Sequence, residues 1–128
     1  MYKIKTLNKI SSKGLEHFPR DKYEIASEIQ NPEGIILRSF KMHDMGLPDS
    51  VKVIARAGAG VNNIPVEKYT EKGIIVMNTP GANANGVKEL VLTGLLISSR
   101  KIIQGINWAK SLVGKGDQVP KMIEKGKS

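Results

Sequence analysis

The chain has 128 residues, 40% of them hydrophobic and 25% charged, a balance that fits one folded domain plus a tail and excludes a disordered polymer. It contains no cysteine, which rules out a disulfide framework and any thiolate metal site, and no apolar run approaches the roughly 20 residues a membrane span needs. The net charge of +8 is carried by lysines scattered in ones and twos, and only six aromatic residues are available to stack on bases, so a solvated surface is the reading and nucleic-acid binding is not expected. The amino-terminal MYKIKTLNKI alternates lysines where a secretory signal would have an apolar core, so a soluble, cytoplasmic protein is expected.

In chain order, YKIKTL alternates apolar and polar residues as a strand does, and SSKGLEHF follows with serine caps and apolar Leu15 and Phe18, predicting a short helix. A second strand is expected around residues 23–25, where the pattern fits a helical turn as well. Asn31 and Pro32 then punctuate the chain before GIILRS, a β-branched run that reads as a buried strand. The turn-rich MHDMGLPDS leads into VKVIA, another buried strand, which runs directly into RAGAG. NIPVEKYTEKG predicts a short helix with Asn63 or Ile64 near its cap, Pro65 in its first turn and Gly73 as its stop. GIIVMN is a further strand and TPGANANG a loop. Strand, helix and strand at this spacing form a βαβ unit, so the fold class is α/β, with a largely parallel sheet covered on both faces.

From Val87 the pattern becomes helical through residue 113. It is apolar on nearly all sides to Ile97, then on one stripe through Ile102, Ile103, Ile106, Ala109 and Val113. The closing GKGDQVPKMIEKGKS has no long periodic segment.

Gly58 and Gly60 follow a strand as the first two glycines of a dinucleotide fingerprint would. Asn63 occupies the third position, however, and the next strand ends in Met77 and Asn78 where an acid should hold the ribose. The turn is better suited to a small anion. Glycines free the backbone for positive φ and let peptide N–H groups approach a carboxylate or phosphate, and a parallel neighbour ending in Arg38 and Ser39 adds a guanidinium and a hydroxyl. A tight turn with no ligand, and an Arg38 paired to a surface carboxylate, stand as the alternative. His17 and His43 have no partner at triad spacing and read as surface or packing residues; no metal-ligand cluster is present.

The segments LRSF, VKVIARAGAGVNNIPVEKYTEKGIIVMNTPGANANG and VKELVLTGLLISSR together resemble the amino-terminal part of the NAD-dependent D-2-hydroxyacid dehydrogenases, above all the members that oxidise 3-phosphoglycerate. The likeness is specific over residues 34–100 and looser upstream, where the family's second helix is contracted to NPEG and the helix before VKVIA to MHDMGLPDS. It implies a flavodoxin-like substrate-binding lobe over residues 1–80, connecting helices over 81–113, and at 114–128 a flexible lead-in to a Rossmann cofactor domain that would bind NAD. Arg38 and Ser39 would contact the acid substrate and the N–H groups of Ala57, Gly58 and Ala59 its carboxylate, with Ala59 also approaching the nicotinamide. Asn62 stands where the family has Asp. The family's catalytic Arg and Glu-His pair belong to the part beyond Ser128, so no catalytic residue is assigned here, the chain is expected to be inactive alone, and its apolar helix is expected to drive homo-oligomer formation. A non-enzymatic small-anion-binding module on the same fold is the alternative.

Overall fold

In the computed structural model, which describes residues 1–126, five strands form one sheet: β1 (Tyr2–Leu7), β2 (Tyr23–Ala26), β3 (Gly34–Leu37), β4 (Val53–Arg56) and β5 (Ile75–Met77). Every neighbouring pair is parallel and the order is β2-β1-β3-β4-β5, the doubly wound arrangement of flavodoxin-like folds. The chain divides between Asn83 and Ala84 into two compact units.

In the first unit the register sorts side chains by face. Leu7, Leu37 and Arg56 stand level across three strands, as do Lys5, Ile35 and Ile54, so these share one side of the sheet. That side carries the core, in which Leu7, Ile35, Leu37 and Ile54 meet Met42, Val51, Ile64, Tyr69 and Ile74. Helix α2 (Val66–Glu71) supplies Tyr69, and the connection between β3 and β4 supplies Met42 with partly buried Met45 and Leu47. A turn-rich loop thus does the covering that a helix does elsewhere in such folds.

The opposite face departs from expectation. Ile4, Gly34, Val53 and Ile75 stand level there, as do Ile36, Ala55 and Met77. An apolar groove of about 350 Å³ runs over it between Tyr2, Ile4, Tyr23, Ile36, Val53 and Ala55, and Ile75 is 58% exposed. The predicted cover on both faces is therefore absent within this unit. Helix α1 (Ser12–Leu15) is a single turn and too short to lie across the strands, leaving Phe18 to make an edge-on contact with Tyr23 at 5.3 Å.

Helix α2 ends as the sequence requires. Gly73 adopts φ +73, and the Gly73 and Ile74 N–H groups donate to the Thr70 and Tyr69 carbonyls, closing the helix in a left-handed turn. Its start differs from expectation by one or two residues: Pro65 is the cap position, and Asn63 is not a cap because its side chain is engaged elsewhere.

The second unit is helical, with α3 (Ala84–Ser99), α4 (Ile102–Ser111), a 3-10 turn (Gly116–Gln118) and α5 (Val119–Lys125). The continuous helix expected through residue 113 is broken at Arg100 and Lys101, where Lys101 turns left-handed at φ 52. Ser98 and Ser99 donate their hydroxyls to the Leu95 and Leu96 carbonyls, a local competition that favours termination where no Gly or Pro marks it. Within the stretch expected to be a flexible lead-in, α5 returns the chain to α4: a Cβ at Gly126 would fall 2.7 Å from the Trp108 ring. Lys127 and Ser128 lie outside the described residues.

Tyr69 ties the helix to the loop through a buried hydrogen bond, its hydroxyl donating to the Met42 carbonyl at 3.1 Å, and desolvation raises its pKa above 10.0. A raised folded-state pKa gives stability that is complete below the unfolded value and lost as pH rises through the folded one. Tyr69→Phe is expected to cost about 1 kcal/mol near neutrality and to flatten the alkaline fall in stability above about pH 10, both read from urea unfolding at stepped pH.

Candidate functional site

The carboxyl ends of β3 and β4 are level, because Leu37 pairs with Arg56. The two chains therefore leave the sheet side by side, one as Arg38-Ser39-Phe40 and the other as Ala57-Gly58-Ala59-Gly60. This is the juxtaposition expected from the parallel reading, and it places all five predicted site residues at one sheet edge. Arg38 and Ser39 are exposed, and among the described residues the Arg38 guanidinium has no hydrogen-bond or ion-pair partner.

The glycine turn is held along its rim. Gly58 N–H donates to Thr79 Oγ1 at 2.8 Å, Thr79 N–H donates to the Gly58 carbonyl at 3.0 Å, and Asn78 Nδ2 donates to the Ala59 carbonyl at 2.7 Å. Two of the predicted anion donors are consequently engaged: Ala57 N–H already serves the Leu37 carbonyl and Gly58 N–H serves Thr79 and the Arg56 carbonyl. The expectation that Ala57 and Gly58 present free N–H groups is corrected on this ground. Among the described residues Ala59 N–H has no acceptor, and neither does Gly60 N–H beside it.

Glycine stands here for a steric reason. Neither Gly58 nor Gly60 has positive φ. What the turn needs is room for the Arg56 side chain, which folds beneath it: a Cβ on Gly60 would lie 2.9 Å from Arg56 Nη1 and 3.3 Å from Asn62 Oδ1. On Gly58 the closest approach would be an ordinary 3.6 Å to Arg56 Nε.

Arg56 adds a group to which the sequence pattern assigns no role. Its Nε donates to the Arg38 carbonyl at 2.8 Å, while its Nη1 is buried with no hydrogen-bond partner. A buried, unpartnered guanidinium nitrogen beside an exposed guanidinium favours a negatively charged ligand. The signal was available: Arg56 is two residues from Ile54, hence on the core face, where a charge calls for explanation.

Asn63, also missed, is buried and donates from Nδ2 to the Arg38 carbonyl at 3.2 Å and the Phe40 carbonyl at 2.8 Å. Its backbone carbonyl accepts from Met42 N–H. Among the described residues the Asn62 side chain makes no hydrogen bond, and its carbonyl meets His43 Nε2 at 2.9 Å. His43 is exposed and engaged by that carbonyl, and His17 is exposed with no hydrogen-bond partner among the described residues. No group of three or more His, Asp or Glu that could hold a metal occurs among the described residues.

Residues 3–114 match the family described as D-isomer specific 2-hydroxyacid dehydrogenase, catalytic domain. The chain belongs to this family. It is 36% identical over 100 residues to D-3-phosphoglycerate dehydrogenase of Rattus norvegicus, covering 76% of this chain and 18% of that protein. To the enzyme of the same name from Methanocaldococcus jannaschii it is 40% identical over 86 residues, 65% of this chain and 16% of the relative. A hydroxypyruvate reductase of Thermotoga maritima is 39% identical over 90 residues, 68% of this chain and 29% of the relative. The chain thus spans less than a third of each of these relatives.

Among solved structures, NAD+-bound 3-phosphoglycerate dehydrogenase of Entamoeba histolytica superposes with a TM-score of 0.58 at 27% identity, over 75% of this chain and 38% of that one. The NADPH-dependent glyoxylate/hydroxypyruvate reductase of Sinorhizobium meliloti gives 0.69 at 21% identity over 94% and 41%, a likeness of fold. The family assignment establishes a dehydrogenase-related α/β domain, with NAD the cofactor of a solved relative. The chain's own residues do not fit a dinucleotide: the turn lacks a third glycine, Met77 and Asn78 replace the ribose acid, and the Gly58 donor is engaged.

The Arg56 geometry sets a steric prediction. Gly60→Ala displaces only the far ends of the Arg56 and Asn62 side chains, so it should destabilise by no more than about 1 kcal/mol, and Gly58→Ala by less. The Gly60→Ala cost should shrink in an Arg56→Ala background, a coupling measured by a double-mutant cycle in urea.

Proposed function

We propose that this chain is the substrate-binding part of an NAD-dependent D-2-hydroxyacid dehydrogenase whose substrate is 3-phosphoglycerate, oxidised to 3-phosphohydroxypyruvate in serine biosynthesis in the cytoplasm. The observation that carries the reading is the pair of guanidinium groups at one sheet edge, Arg38 exposed and unpartnered and Arg56 half-buried with Nη1 unpartnered, beside the free Ala59 and Gly60 N–H groups. A phosphorylated hydroxy acid has two anionic ends, and such a set of donors can take one of them firmly. The relatives named D-3-phosphoglycerate dehydrogenase favour that substrate over other acids.

Binding and chemistry separate in this proposal. Ser39 and the Arg38 guanidinium orient the acid, the unengaged N–H groups receive its carboxylate, and Ala59 forms the wall that faces the nicotinamide when the cofactor is presented by the rest of the enzyme. NAD supplies the hydride acceptor. In this reading no residue of the chain is assigned to take the hydroxyl proton, and the 128 residues alone are expected to be inactive and not to retain NAD.

Titration with 3-phosphoglycerate, followed by amide shifts, should move the resonances of residues 38–40 and 57–60 saturably. Arg38→Ala should weaken binding about tenfold or more, the scale of a charge-assisted contact. No saturable shift in the original chain would remove the anion-site reading, and stronger binding of hydroxypyruvate would redirect the substrate.

The exposed apolar face of α3 supports homo-oligomer formation, since Leu90 and Leu96 are 72% and 62% exposed on a helix rich in leucine. Sedimentation should show species heavier than 14.0 kDa, and Leu90→Glu with Leu96→Glu should shift them toward monomer. A monodisperse monomer in the original chain would contradict the expectation.

A further inference from the structure

Beyond Leu37 the chain has left the sheet, yet Arg38-Ser39-Phe40 is held from two sides. Asn63 and Arg56 donate to its carbonyls from below. Its N–H groups are received by Asn8, more than 30 residues earlier: Asn8 Oδ1 accepts from Phe40 N–H at 2.6 Å and from Ser39 N–H at 3.2 Å. Asn8 is the first residue after β1 and takes left-handed φ 70, a conformation Asn tolerates better than most residues. With that backbone its carboxamide oxygen turns across the end of the sheet toward the β3 exit. The alternation of YKIKTL identifies the strand but gives no reason to single out the residue after it.

We infer that Asn8 is a positioning residue for the anion site: its carboxamide oxygen fixes the backbone on which Arg38 and Ser39 are presented, so ligand affinity depends on a side chain that donates nothing to the ligand. The physical reason is preorganisation. A three-residue exit without ladder partners would lose conformational freedom when an anion binds, and a side chain that has already ordered it removes that cost from the binding step. Oδ1 suits the task because one acceptor oxygen has lone pairs for two N–H groups at once. The inference rests on the anion-site reading above.

The test uses the full chain and 3-phosphoglycerate as probe. Asn8→Gly keeps the left-handed backbone and removes the acceptor; Asn8→Asp keeps both backbone and acceptor. Asn8→Gly should weaken 3-phosphoglycerate binding about fivefold, the scale of one net hydrogen bond, and should speed hydrogen exchange at the Ser39 and Phe40 amides by a similar factor. Asn8→Asp should restore the exchange protection, while its carboxylate repels the anionic probe, so exchange at the Ser39 and Phe40 amides is the readout for this variant. Asn8→Ala, which also lacks the acceptor, should match Asn8→Gly in affinity although its strained backbone lowers the melting temperature further. Unchanged affinity in Asn8→Gly, or Ser39 and Phe40 exchange that is as fast in Asn8→Asp as in Asn8→Gly, overturns the inference and leaves the anion site standing. Failure of the original chain to bind the probe overturns the anion site itself, and this role of Asn8 with it.

Discussion

The carbonyl oxygen of Arg38 receives two side-chain donors, Arg56 Nε and Asn63 Nδ2, and both come from the segment that leaves the neighbouring strand. A carbonyl just past the end of a strand would ordinarily be satisfied by water. Here it fastens the exit of β3 to the exit of β4, and much of what is distinctive at this sheet edge follows from that attachment. Arg56 folds back under its own turn to reach the oxygen, and a Cβ at Gly60 would press on its guanidinium. The Arg38 backbone is fixed, which leaves its guanidinium as the free group.

The same attachment explains how so short a domain can omit helices. The connection from β3 to β4 contains no helix, yet Met42 is fully buried and Met45 and Leu47 pack against the core. A loop can fill that position only if its polar backbone is satisfied. Met42 N–H donates to the Asn63 carbonyl and the Met42 carbonyl accepts from the Tyr69 hydroxyl, so Asn63 and Tyr69 hold the loop on the sheet from either side. Asn63 therefore joins two tasks in one residue, with its side chain serving the β3 exit and its backbone serving the covering loop.

Which of these features the sequence disclosed depends on how local their causes are. GIILRS, VKVIA and GIIVMN are dense β-branched runs bounded by glycine or charge, and each forms its strand; Gly73 stops its helix in the left-handed turn it was expected to make. The placement of Arg38 and Ser39 beside the glycine turn also follows, because parallel pairing alone brings strand ends level. Asn63 and Arg56 were less legible, since their partners lie 18 to 25 residues away and each has a commonplace local explanation as a helix cap or a strand-end charge. The glycines were read for positive φ when the demand on Gly60 is steric and comes from a side chain four positions earlier. The break at Lys101 was hidden because serine hydroxyls compete for carbonyls without interrupting an apolar pattern.

The uncovered face bears on function through what it does not touch. A parallel sheet ordinarily buries both sides, and here Ile36, Val53, Ala55 and Ile75 line or flank an open groove while Leu37, Ile54 and Arg56 face a finished core. Because neighbouring residues on a strand point to opposite sides, the two surfaces are interleaved in sequence but separate in space. Arg56 and Asn63 act from the covered side, and Asn8 acts from the end of the sheet. The groove can therefore be filled without moving them. The apolar groove and the edge that carries Arg38 and Arg56 are thus built on the same strands but belong to different sides of the sheet.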